Sequence, residues 1–428
     1  MKRQYKDSGI EWIGKIPENW AIERMKGLFT ERNERDCKGK TLLSVSQYYG
    51  IRPKSETDIA DSHIAESYDD YKVVCQGDFV MNIMLAWNGS YAVSDYNGMV
   101  SPAYCVFKFR KDCCEKYFHY LLRTNGYPTA FKTMSRGVID SRLRLYPEQF
   151  YTFPVILPPV EEQQRIADYL DSKCGEIDSL IGLQEQMIEK LKAYKQSVIT
   201  EAVTKGLDPN AKLVPSGIDW IGEIPEGWKV IKTKFIANKI FKGNGITKEE
   251  VFTDGDTPCV RYGEIYSKYS QGFKDCVSAT NLDIQKSPQY FHFGDILCAG
   301  TGELVEEIGK SIVYLGNKAC LAGGDIIIIR HSQNPSFLNY ALNSNYAQTQ
   351  KSRGKAKLKV VHISAFEIGS TYIILPPLSE QQTIANYLDE KCADIDRLIV
   401  LKQQKIEALK EYKKSVIYEA VTGKTEIV

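Results

Sequence analysis

Residues 158–204 read PPVEEQQRIADYLDSKCGEIDSLIGLQEQMIEKLKAYKQSVITEAVT, and residues 376–422 read PPLSEQQTIANYLDEKCADIDRLIVLKQQKIEALKEYKKSVIYEAVT. When the two stretches are aligned without a gap, roughly two-thirds of their positions are identical, more than shared helical composition would give. The chain therefore contains a duplicated helical element, and the rest of the sequence is arranged around its two copies.

The apolar positions of both copies alternate at spacings of four and three, which is typical of a helix that packs along one narrow seam. The first seam comprises Ile177, Ile181, Gln184, Ile188, Leu191, Lys195, Val198 and Ala202. The second comprises Ile395, Ile399, Lys402, Ile406, Leu409, Lys413, Val416 and Ala420. Either helix alone could be an ordinary amphipathic core helix, but two matching seams in one chain favour each other as partners. The polar residues in these seams can fix register and partner at a cost in stability.

A second repeat precedes each helix. SGIEWIGKIPENW (Ser8–Trp20) returns as SGIDWIGEIPEGW (Ser216–Trp228), and we interpret both Trp segments as structural braces. Because the second Trp segment follows the first helix after a short connector (Lys205–Pro215), the Trp segment at the chain start is expected near the end of the second helix. Gly175 is a candidate break, so a continuous rod is predicted over residues 176–204, about 43 Å long.

The two regions between Trp segment and helix resemble each other only faintly and carry short β-type runs broken by Gly, Asn and Asp. Both contain a Gly-Asp pair, at Gly77-Asp78 and Gly294-Asp295, and a Ser-Arg-Gly triplet, at Ser135–Gly137 and Ser352–Gly354. The predicted strands are residues 41–45, 79–85, 104–109, 295–298, 311–314 and 325–329, and the predicted helices are residues 115–124 and 336–347.

These repeats predict an α+β chain. Two mixed α/β globules are separated by two long helices that form an antiparallel intramolecular coiled coil, in a pseudo-two-fold, pseudo-cyclic arrangement. The expected domains are a first globule with its Trp segment at 1–157, a helix at 158–205, a linker with the second Trp segment and globule at 206–375, and a helix with the tail at 376–428.

Composition narrows the class of protein. The chain has 428 residues, 43% of them hydrophobic, without an apolar run of membrane-spanning length or a signal-peptide stretch at its start, so a cytoplasmic protein is predicted. The 11 cysteines are scattered without a C-x-x-C pair, which indicates reduced thiols and no zinc site. A net charge of +1 means that any nucleic-acid binding depends on local patches.

Catalytic motifs are missing from the sequence. The nearest stretch to a phosphate loop runs from Gly300 to Ser311, but its glycines have the wrong spacing for a P-loop. The five histidines show no metal spacing, and no nucleophile elbow or dinucleotide fingerprint occurs. These absences disfavour an enzyme.

Four stretches carry the residue types that contact nucleic acid. Basic patches include the Ser-Arg-Gly triplets, and cations on an extended segment would line one face and suit a phosphate backbone. Their members are Arg136, Arg142 and Arg144 in the first half and Lys351, Arg353, Lys355, Lys357 and Lys359 in the second. Two further stretches mix aromatic, polar and basic side chains that can contact bases or phosphates. Their candidates are Ser46, Gln47, Tyr48, Tyr49 and Arg52, then Arg261, Tyr262 and Tyr266. Solvated charge runs and ordinary strand ends are the alternatives.

With these residues in view, the chain resembles the specificity subunit of type I restriction-modification systems. The resemblance rests on the repeated (L/I)PP-x-x-EQQ-x-IA-x-YLD-x-KC-x-x-ID motif, on the two SGI(E/D)WIG-x-IP-E-x-W segments and on the divergent regions between them. It covers essentially the whole chain, and two full units in this order make it specific.

The resemblance implies a non-catalytic subunit whose two target-recognition domains each read one half of a split double-stranded DNA site. It implies that the coiled coil sets the gap between the halves and docks two methyltransferase subunits, and that restriction subunits join the complex. No cofactor is then expected in this chain, because S-adenosylmethionine, ATP and Mg belong to those partners. The alternative is a coiled-coil scaffold whose globules bind protein or another ligand.

Overall fold

The computed structural model describes residues 3–35, 37–56, 68–139, 142–218, 221–355 and 360–427. It divides into two compact units: unit 1 is made of residues 1–185 with 404–428, and unit 2 is made of residues 186–403. Each unit contains a Trp segment, a mixed α/β region and one half of each long helix.

The strands of unit 1 are β1 (Tyr5–Asp7), β2 (Lys15–Pro17), β3 (Ala21–Arg24), β4 (Phe29–Glu31), β5 (Leu43–Ser46), β6 (Gly50–Pro53), β7 (Lys72–Val74), β8 (Phe79–Asn82), β9 (Tyr91–Val93), β10 (Gly98–Val100), β11 (Tyr104–Phe109) and β12 (Pro154–Leu157). Its helices are α1 (Met25–Leu28), α2 (Glu115–Leu122), α3 (Gly126–Met134) and α4 (Pro147–Phe150), followed by the first long helix, α5 (Val160–Lys205), which continues into unit 2.

The strands of unit 2 are β13 (Leu213–Pro215), β14 (Glu223–Pro225), β15 (Lys229–Lys232), β16 (Ala237–Lys242), β17 (Thr257–Val260), β18 (Gly272–Phe273), β19 (Ser278–Thr280), β20 (Tyr290–Phe291), β21 (Ile296–Ala299), β22 (Thr301–Gly302), β23 (Ser311–Tyr314), β24 (Cys320–Ala322), β25 (Ile326–His331), β26 (Val361–His362) and β27 (Tyr372–Leu375). Its helices are α6 (Thr233–Ile236), α7 (Tyr262–Ser267), α8 (Pro335–Asn343), α9 (Asn345–Ser352) and α10 (Ala365–Ser370), and the second long helix, α11 (Leu378–Val421), starts here and ends in unit 1.

Unit 1 is built on an antiparallel sheet with strand order β4-β11-β8-β9. Phe79 and Phe107, on neighbouring strands, are fully buried with Phe29 and Phe150, and the Phe107 and Phe150 ring centroids lie 4.9 Å apart. Fully burying one such side chain stabilises a fold by about 1.5–3 kcal/mol, so these four phenylalanines contribute strongly to the packing of the sheet.

Unit 2 is built on a five-stranded sheet, β16-β25-β21-β23-β18, with a second sheet, β19-β17-β24-β20. Alternate residues of β25 belong to different cores: Ile327 and Ile329 pack in the core that contains the long helices, and Ile326 and Ile328 pack in the other. Side chains of a strand point alternately to its two faces, so the unbroken isoleucine run reflects a strand that is covered on both.

The Trp segments attach to the starts of the long helices. In unit 1 the Trp20 indole Nε1 donates to Glu162 Oε2 at 3.0 Å, and in unit 2 Trp228 Nε1 donates to Glu380 Oε2 at 2.9 Å. Tyr418, near the end of α11, donates from its hydroxyl to the Trp12 carbonyl at 3.0 Å. The first Trp segment therefore contacts the end of the second long helix, as predicted, and both segments act as braces.

The Gly-Asp pairs form the same buried turn in both units. Gly77 and Gly294 have φ of 87° and 86°, which favours glycine, and the two aspartates are buried. Asp78 accepts from the Cys75 backbone N–H at 2.8 Å, and Asp295 accepts from that of His292 at 2.9 Å.

Each of these aspartates also pairs with an arginine. Arg32 Nε lies 2.8 Å from Asp78 Oδ2, and Arg330 Nη2 lies 2.8 Å from Asp295 Oδ2. Burial raises the pKa of Asp78, and the bond to the Cys75 N–H and the Arg32 guanidinium oppose that rise. The Gly-Asp sequence that both units share thus marks a structural turn. The sequence did not reveal which arginine pairs with each aspartate.

Most predicted secondary structure is confirmed. Strands β5, β8, β11, β21, β23 and β25 and helices α2 and α8 lie where short β-type runs and helical patterns were predicted, with ends shifted by a few residues. The prediction of a break at Gly175 is wrong, because α5 is continuous over 46 residues, about 69 Å. No side chain lies within 4 Å of a Cβ built at Gly175, so the glycine marks a solvated helix surface.

Candidate nucleic-acid interface

The first candidate surface is the tip of the β5–β6 hairpin in unit 1. Ser46 ends β5, residues 47–49 form the turn, and the Tyr48 side chain at its apex is 84% exposed. The Tyr49 hydroxyl lies 3.1 Å from Ser44 Oγ, and the Arg52 guanidinium lies 5.5 Å from the Tyr49 ring centroid. The predicted residues Ser46, Gln47, Tyr48, Tyr49 and Arg52 thus share one small hairpin.

An internal arginine holds this hairpin. Arg123, directly after α2, donates to the Gln47 carbonyl through Nη2 and to the Tyr91 carbonyl through Nη1 at 2.8 Å. Burial lowers the pKa of Arg123, the expected direction for a cation taken out of water. Sequence reasoning missed this residue, because nothing in the local pattern at the end of a helix shows which distant carbonyl the side chain meets.

The second candidate surface in unit 1 is the segment from Arg136 to Arg144, which we call the 136–144 finger. The backbone N–H of each end residue donates to the carbonyl of the other at 2.9 Å, so the two arginines form an antiparallel bridge. Arg136 and Arg142 are exposed and Arg144 is half-buried. Asp140 and Ser141 lie outside the described residues.

The candidates Arg261, Tyr262 and Tyr266 of unit 2 point in different directions. Arg261 precedes α7 and is half-buried, and Tyr262 is exposed. The Tyr266 hydroxyl donates to the Thr301 carbonyl at 3.2 Å, and burial raises its pKa. Tyr266 is half-buried and its hydroxyl is bonded within unit 2, and a contact from this residue to nucleic acid stays a prediction.

The row of cations predicted from Lys351 to Lys359 does not form as expected. Its first member, Lys351, belongs to α9 instead of an extended segment, is buried, and donates to the Gly309 carbonyl at 2.7 Å. Burial lowers the pKa of Lys351 to about 8. The prediction of Lys351 as a phosphate contact is wrong, because its ammonium lies inside unit 2.

Lys355 also has an internal partner. Its Nζ lies 2.8 Å from Glu367 Oε1 and donates to the His362 carbonyl at 2.6 Å. Burial tends to raise the pKa of Glu367, but the bonds from Lys355 and Ser364 lower it below its ordinary value. Arg353 is exposed, and Lys357 and Lys359 lie outside the described residues.

The predicted seam residues lie along the buried side of both long helices. The buried members are Ile177, Gln184, Ile188, Val198, Ala202, Ile395, Ile406, Val416 and Ala420, and the half-buried members are Ile181, Leu191, Lys195, Ile399, Lys402, Leu409 and Lys413. Gln184 Oε1 has no hydrogen-bond partner among the residues that the structure describes.

Within each unit the helices run antiparallel. In unit 1, Ile166 and Leu170 share a core with Val416 and Ala420, and Lys413 Nζ lies 2.7 Å from Asp178 Oδ1. In unit 2, Lys195 Nζ lies 2.6 Å from Asp396 Oδ2. Lys195 and Lys413 are equivalent in the repeat, as are Asp178 and Asp396, so each seam lysine pairs with the aspartate of the other copy. These pairs give the seam its register.

The described part of the chain offers neither a cluster of metal ligands nor a membrane-spanning helix. No group of three or more His, Cys, Asp or Glu residues there could hold a metal ion. No described helix has the length and apolar character needed to cross a bilayer. An open cleft of about 790 Å³ in unit 1 is lined in part by Trp12, Arg123 and Tyr418.

Each of the two mixed α/β units contains half of each long helix and exposes its own set of aromatic and basic side chains. This architecture is that of a recognition protein with two different binding surfaces. A family model described as "Type I restriction modification DNA specificity domain" matches residues 17–193 and again residues 225–411. These matches cover well over half of the chain, and the chain belongs to this family, the specificity subunits of type I restriction-modification systems. It is thus a non-catalytic DNA-specificity subunit, and its family implies DNA, methyltransferase and restriction partners.

Named relatives agree over long stretches. The chain is 24% identical over 439 residues to the type I restriction enzyme MjaVIII specificity subunit of Methanocaldococcus jannaschii, covering 96% of this chain and 94% of that protein. It is 32% identical over 342 residues to the EcoBI specificity subunit of Escherichia coli, covering 76% of this chain and 69% of that protein.

Two solved structures share the fold. A chain from work on complex assembly and conformational transition of the type I R-M system superposes with a TM-score of 0.71 at 18% identity, covering 96% of this chain and 99% of that one. The HsdS subunit from Thermoanaerobacter tengcongensis gives a TM-score of 0.52 at 18% identity, covering 96% and 98%. The predicted resemblance and fold class are confirmed, and the scaffold alternative is not supported.

Proposed function

We propose that the chain directs a type I restriction-modification complex to a bipartite, asymmetric DNA site. The recognition domains span residues 1–157 and 206–375 and each reads one half, and the helices at 158–205 and 376–428 set the gap. The observation that carries this proposal is the contrast between a repeated frame and two different surfaces. The Trp–Glu, Gly-Asp and Lys–Asp contacts recur in both units, whereas the candidate residues of unit 1 lie on the β5–β6 hairpin and those of unit 2 lie at helix α7.

The contacts proposed for DNA are the exposed members of the predicted set. In unit 1 these are Tyr48, Arg52, Arg136 and Arg142, and in unit 2 Tyr262 and Arg353. Arginine and tyrosine can bond to phosphates or base edges, and each phosphate contact steepens the salt dependence of binding. Gln47 and Arg261 are half-buried beside these surfaces and are proposed to contact bases.

The long helices also carry an outer apolar stripe suited to partner subunits. Leu180, Leu183 and Met187 of α5 are exposed at spacings of three and four, and Leu398 and Leu401 occupy equivalent exposed positions on α11. Exposed apolar side chains on one helix face are typical of an interaction surface. Two copies of this stripe fit two methyltransferase subunits, one for each copy.

The chemistry then resides on those partners. Methyltransferase subunits would bind S-adenosylmethionine, and restriction subunits would bind ATP and Mg. This chain would determine which DNA sequence the complex binds. Such a complex works where the cell keeps its DNA, which for a restriction system is the cytoplasm.

The experiment that tests the proposal removes one heptad from each long helix, residues 188–194 and 406–412, which preserves the seam and leaves the outer apolar stripe intact. The loss is about 10.5 Å of helix, or about three base pairs at roughly 3.4 Å each. Methylome sequencing of cells that express the variant with its methyltransferase should show both half-sequences unchanged and a gap shorter by about three base pairs.

The control exchanges the two heptads without changing length and should keep the gap. Altered half-sequences with an unaltered gap would contradict the assignment of the helices as the spacer. A chain that directs no methylation, with either spacer length, would contradict the proposed role in DNA recognition.

A further inference from the structure

A group of lysines in unit 2 lies on the segment that follows the second Trp segment. Residues 229–242, KVIKTKFIANKIFK, form β15, α6 and β16 and contain five lysines and no acidic residue. Among the residues that the structure describes, no carboxylate forms an ion pair with any of the five. Lys232 is half-buried and the other four are exposed. The group, which we call the lysine row, consists of Lys229, Lys232, Lys234, Lys239 and Lys242.

Two ammonium groups of the lysine row lie over aromatic rings. Lys234 Nζ is 5.0 Å from the ring centroid of Phe235, and Lys239 Nζ is 4.6 Å from that of Phe241. An aromatic face attracts a cation without neutralising its charge. The lysine row therefore presents positive charge that an anionic ligand can still bind.

The equivalent segment of unit 1 carries no net charge. Residues 21–34, AIERMKGLFTERNE, contain β3, α1 and β4 at the same distance from their tryptophan, with three glutamates and three cations. By this spacing, Glu31 and Glu34 take the positions of Lys239 and Lys242. All three glutamates are ion-paired within unit 1, in the pairs Glu23–Lys111, Glu31–Lys72 and Glu34–Arg32. The same part of the fold is thus neutralised in unit 1 and cationic in unit 2.

Protection of a sheet edge does not account for the lysine row. β16 is an edge strand of its five-stranded sheet, and lysines are a common guard against the pairing of exposed edges. However, β4 is the equivalent edge strand in unit 1, and there Glu31 is ion-paired. Lys234 belongs to α6 and lies outside the sheet. Edge protection therefore explains neither the missing acids nor Lys234.

The lysine row ends beside the proposed base contact of unit 2. Directly after Lys242, a Cβ built on Gly243 would lie 2.2 Å from the Gly323 carbonyl oxygen, so the two backbones are in close contact. The Gly323 N–H donates to the Val260 carbonyl at 2.8 Å, and a Cβ on Gly323 would lie 3.4 Å from the Arg261 Cα. The end of β16 is therefore next to Arg261, and the lysine row and Arg261 form one continuous surface of unit 2.

We propose that Lys234, Lys239 and Lys242 bind DNA phosphates beside the half-site that unit 2 reads, and that unit 1 has no equivalent contacts. Lys239 and Lys242 point to opposite faces of β16, and because β16 lies at the sheet edge, both can reach a duplex along that edge. Lys351 and Lys355 have internal partners, so unit 2 needs other cations for the backbone. The inference rests on the proposed DNA recognition and adds to it a surface that positions the duplex without reading its sequence.

The test uses the full chain in complex with its methyltransferase subunits and the DNA site defined by methylome sequencing. Fluorescence anisotropy gives the affinity over a series of salt concentrations, for the unchanged chain and for the triple variant Lys234→Gln, Lys239→Gln, Lys242→Gln. Each phosphate contact contributes about 0.9 to the slope of log affinity against log salt, so the slope should become shallower by about 2.7. The correct site and single-mismatch sites should lose affinity by the same factor, because phosphate contacts carry no sequence information.

The matched control is the double variant Arg24→Gln, Lys26→Gln, which removes exposed cations of unit 1 at the positions equivalent to Lys232 and Lys234. It should leave the slope unchanged, because the glutamates of that segment neutralise its charge. An equal loss of slope per charge in the control would overturn the proposal, since a general loss of positive charge would then explain both results.

Site-specific binding by the triple variant with the slope of the unchanged chain overturns the inference and leaves the proposed function standing. Loss of methyltransferase assembly in the triple variant, with the slope retained, also overturns it, since the lysines would then face protein. Failure of the unchanged complex to prefer its site over other DNA would instead overturn the proposed function.

Discussion

Units 1 and 2 share a set of buried contacts, which we call the frame, and differ in the surface residues that the frame supports. Each has a tryptophan bonded to a glutamate at a helix start, an aspartate in a Gly-Asp turn paired with an arginine, and a seam lysine paired with an aspartate. The segments after the Ser-Arg-Gly triplets differ: unit 1 exposes Val138, whereas unit 2 pairs Lys355 internally. Buried contacts need specific partners, while exposed tips can change without loss of the fold.

The largest expected effect tests whether the shared frame is equally important in both units. Asp78→Ala leaves Arg32, whose side chain is only 16% exposed, without its main partner, and should destabilise unit 1 by about 3 kcal/mol. The Arg330 side chain is 37% exposed and can be solvated, so Asp295→Ala should cost unit 2 only about 1–2 kcal/mol. Urea unfolding followed by circular dichroism measures both free energies.

The controls for this comparison are Asp70→Ala in unit 1 and Glu226→Ala in unit 2, which remove exposed ion-pair partners and should change stability by less than about 0.5 kcal/mol. Equal losses in Asp78→Ala and Asp295→Ala would show that exposure of the arginine does not set the cost.

The next prediction concerns Lys351, a buried lysine whose position in unit 1 is taken by the exposed Met134. Burial lowers the pKa of Lys351 from 10.5 to about 8, so the unfolded chain binds more protons than the folded chain between these values. The free energy of unfolding should then rise with pH, by about 2.5 kcal/mol between pH 7 and pH 10 relative to Lys351→Met. Its neighbour Cys298 stays protonated, because burial raises its pKa to about 12.

Urea unfolding of both proteins across this pH range provides the measurement, and taking the difference cancels groups that titrate in both. Lys268→Met, at an exposed position of unit 2, should track the unchanged chain at every pH. A difference between Lys351→Met and the unchanged chain that does not vary with pH would mean that the ammonium is not desolvated.

The smallest predicted effect concerns the proposed base contacts of the two units, which should each affect a different half-site. Gln47→Ala should relax discrimination in the half-site of unit 1 and Arg261→Ala in that of unit 2, each by about 2 kcal/mol, the worth of a good base contact. Affinities for single-mismatch sites give the result, with Arg397→Ala on an exposed helix position as a control that should leave both halves unchanged. An equal loss on all sequences from Arg261→Ala would show a backbone contact.

Much of the frame could be predicted from sequence, because it repeats. The duplication in the sequence revealed the helix pair and the Trp segments. Alternating apolar residues and short apolar runs located strands such as β11 and β23. The binding candidates were harder to predict. Tyr48 and Arg136 are on the surface as expected, but Tyr266 and Lys351 turn inward and Arg123 acts from inside. Composition indicates which residue types could bind, but not which way each side chain points.

The sequence by itself determined the two-part plan and the seam, because a 3.5-residue period is typical of a helix packed on a partner helix and the duplicated motif places that partner in the same chain. Only the tertiary structure decided the register, through Lys195 with Asp396 and Lys413 with Asp178, and the burial of Lys351 against the Gly309 carbonyl. These outcomes depend on residues far apart in the chain, since burial and ion pairing are properties of the packed neighbourhood and not of the segment.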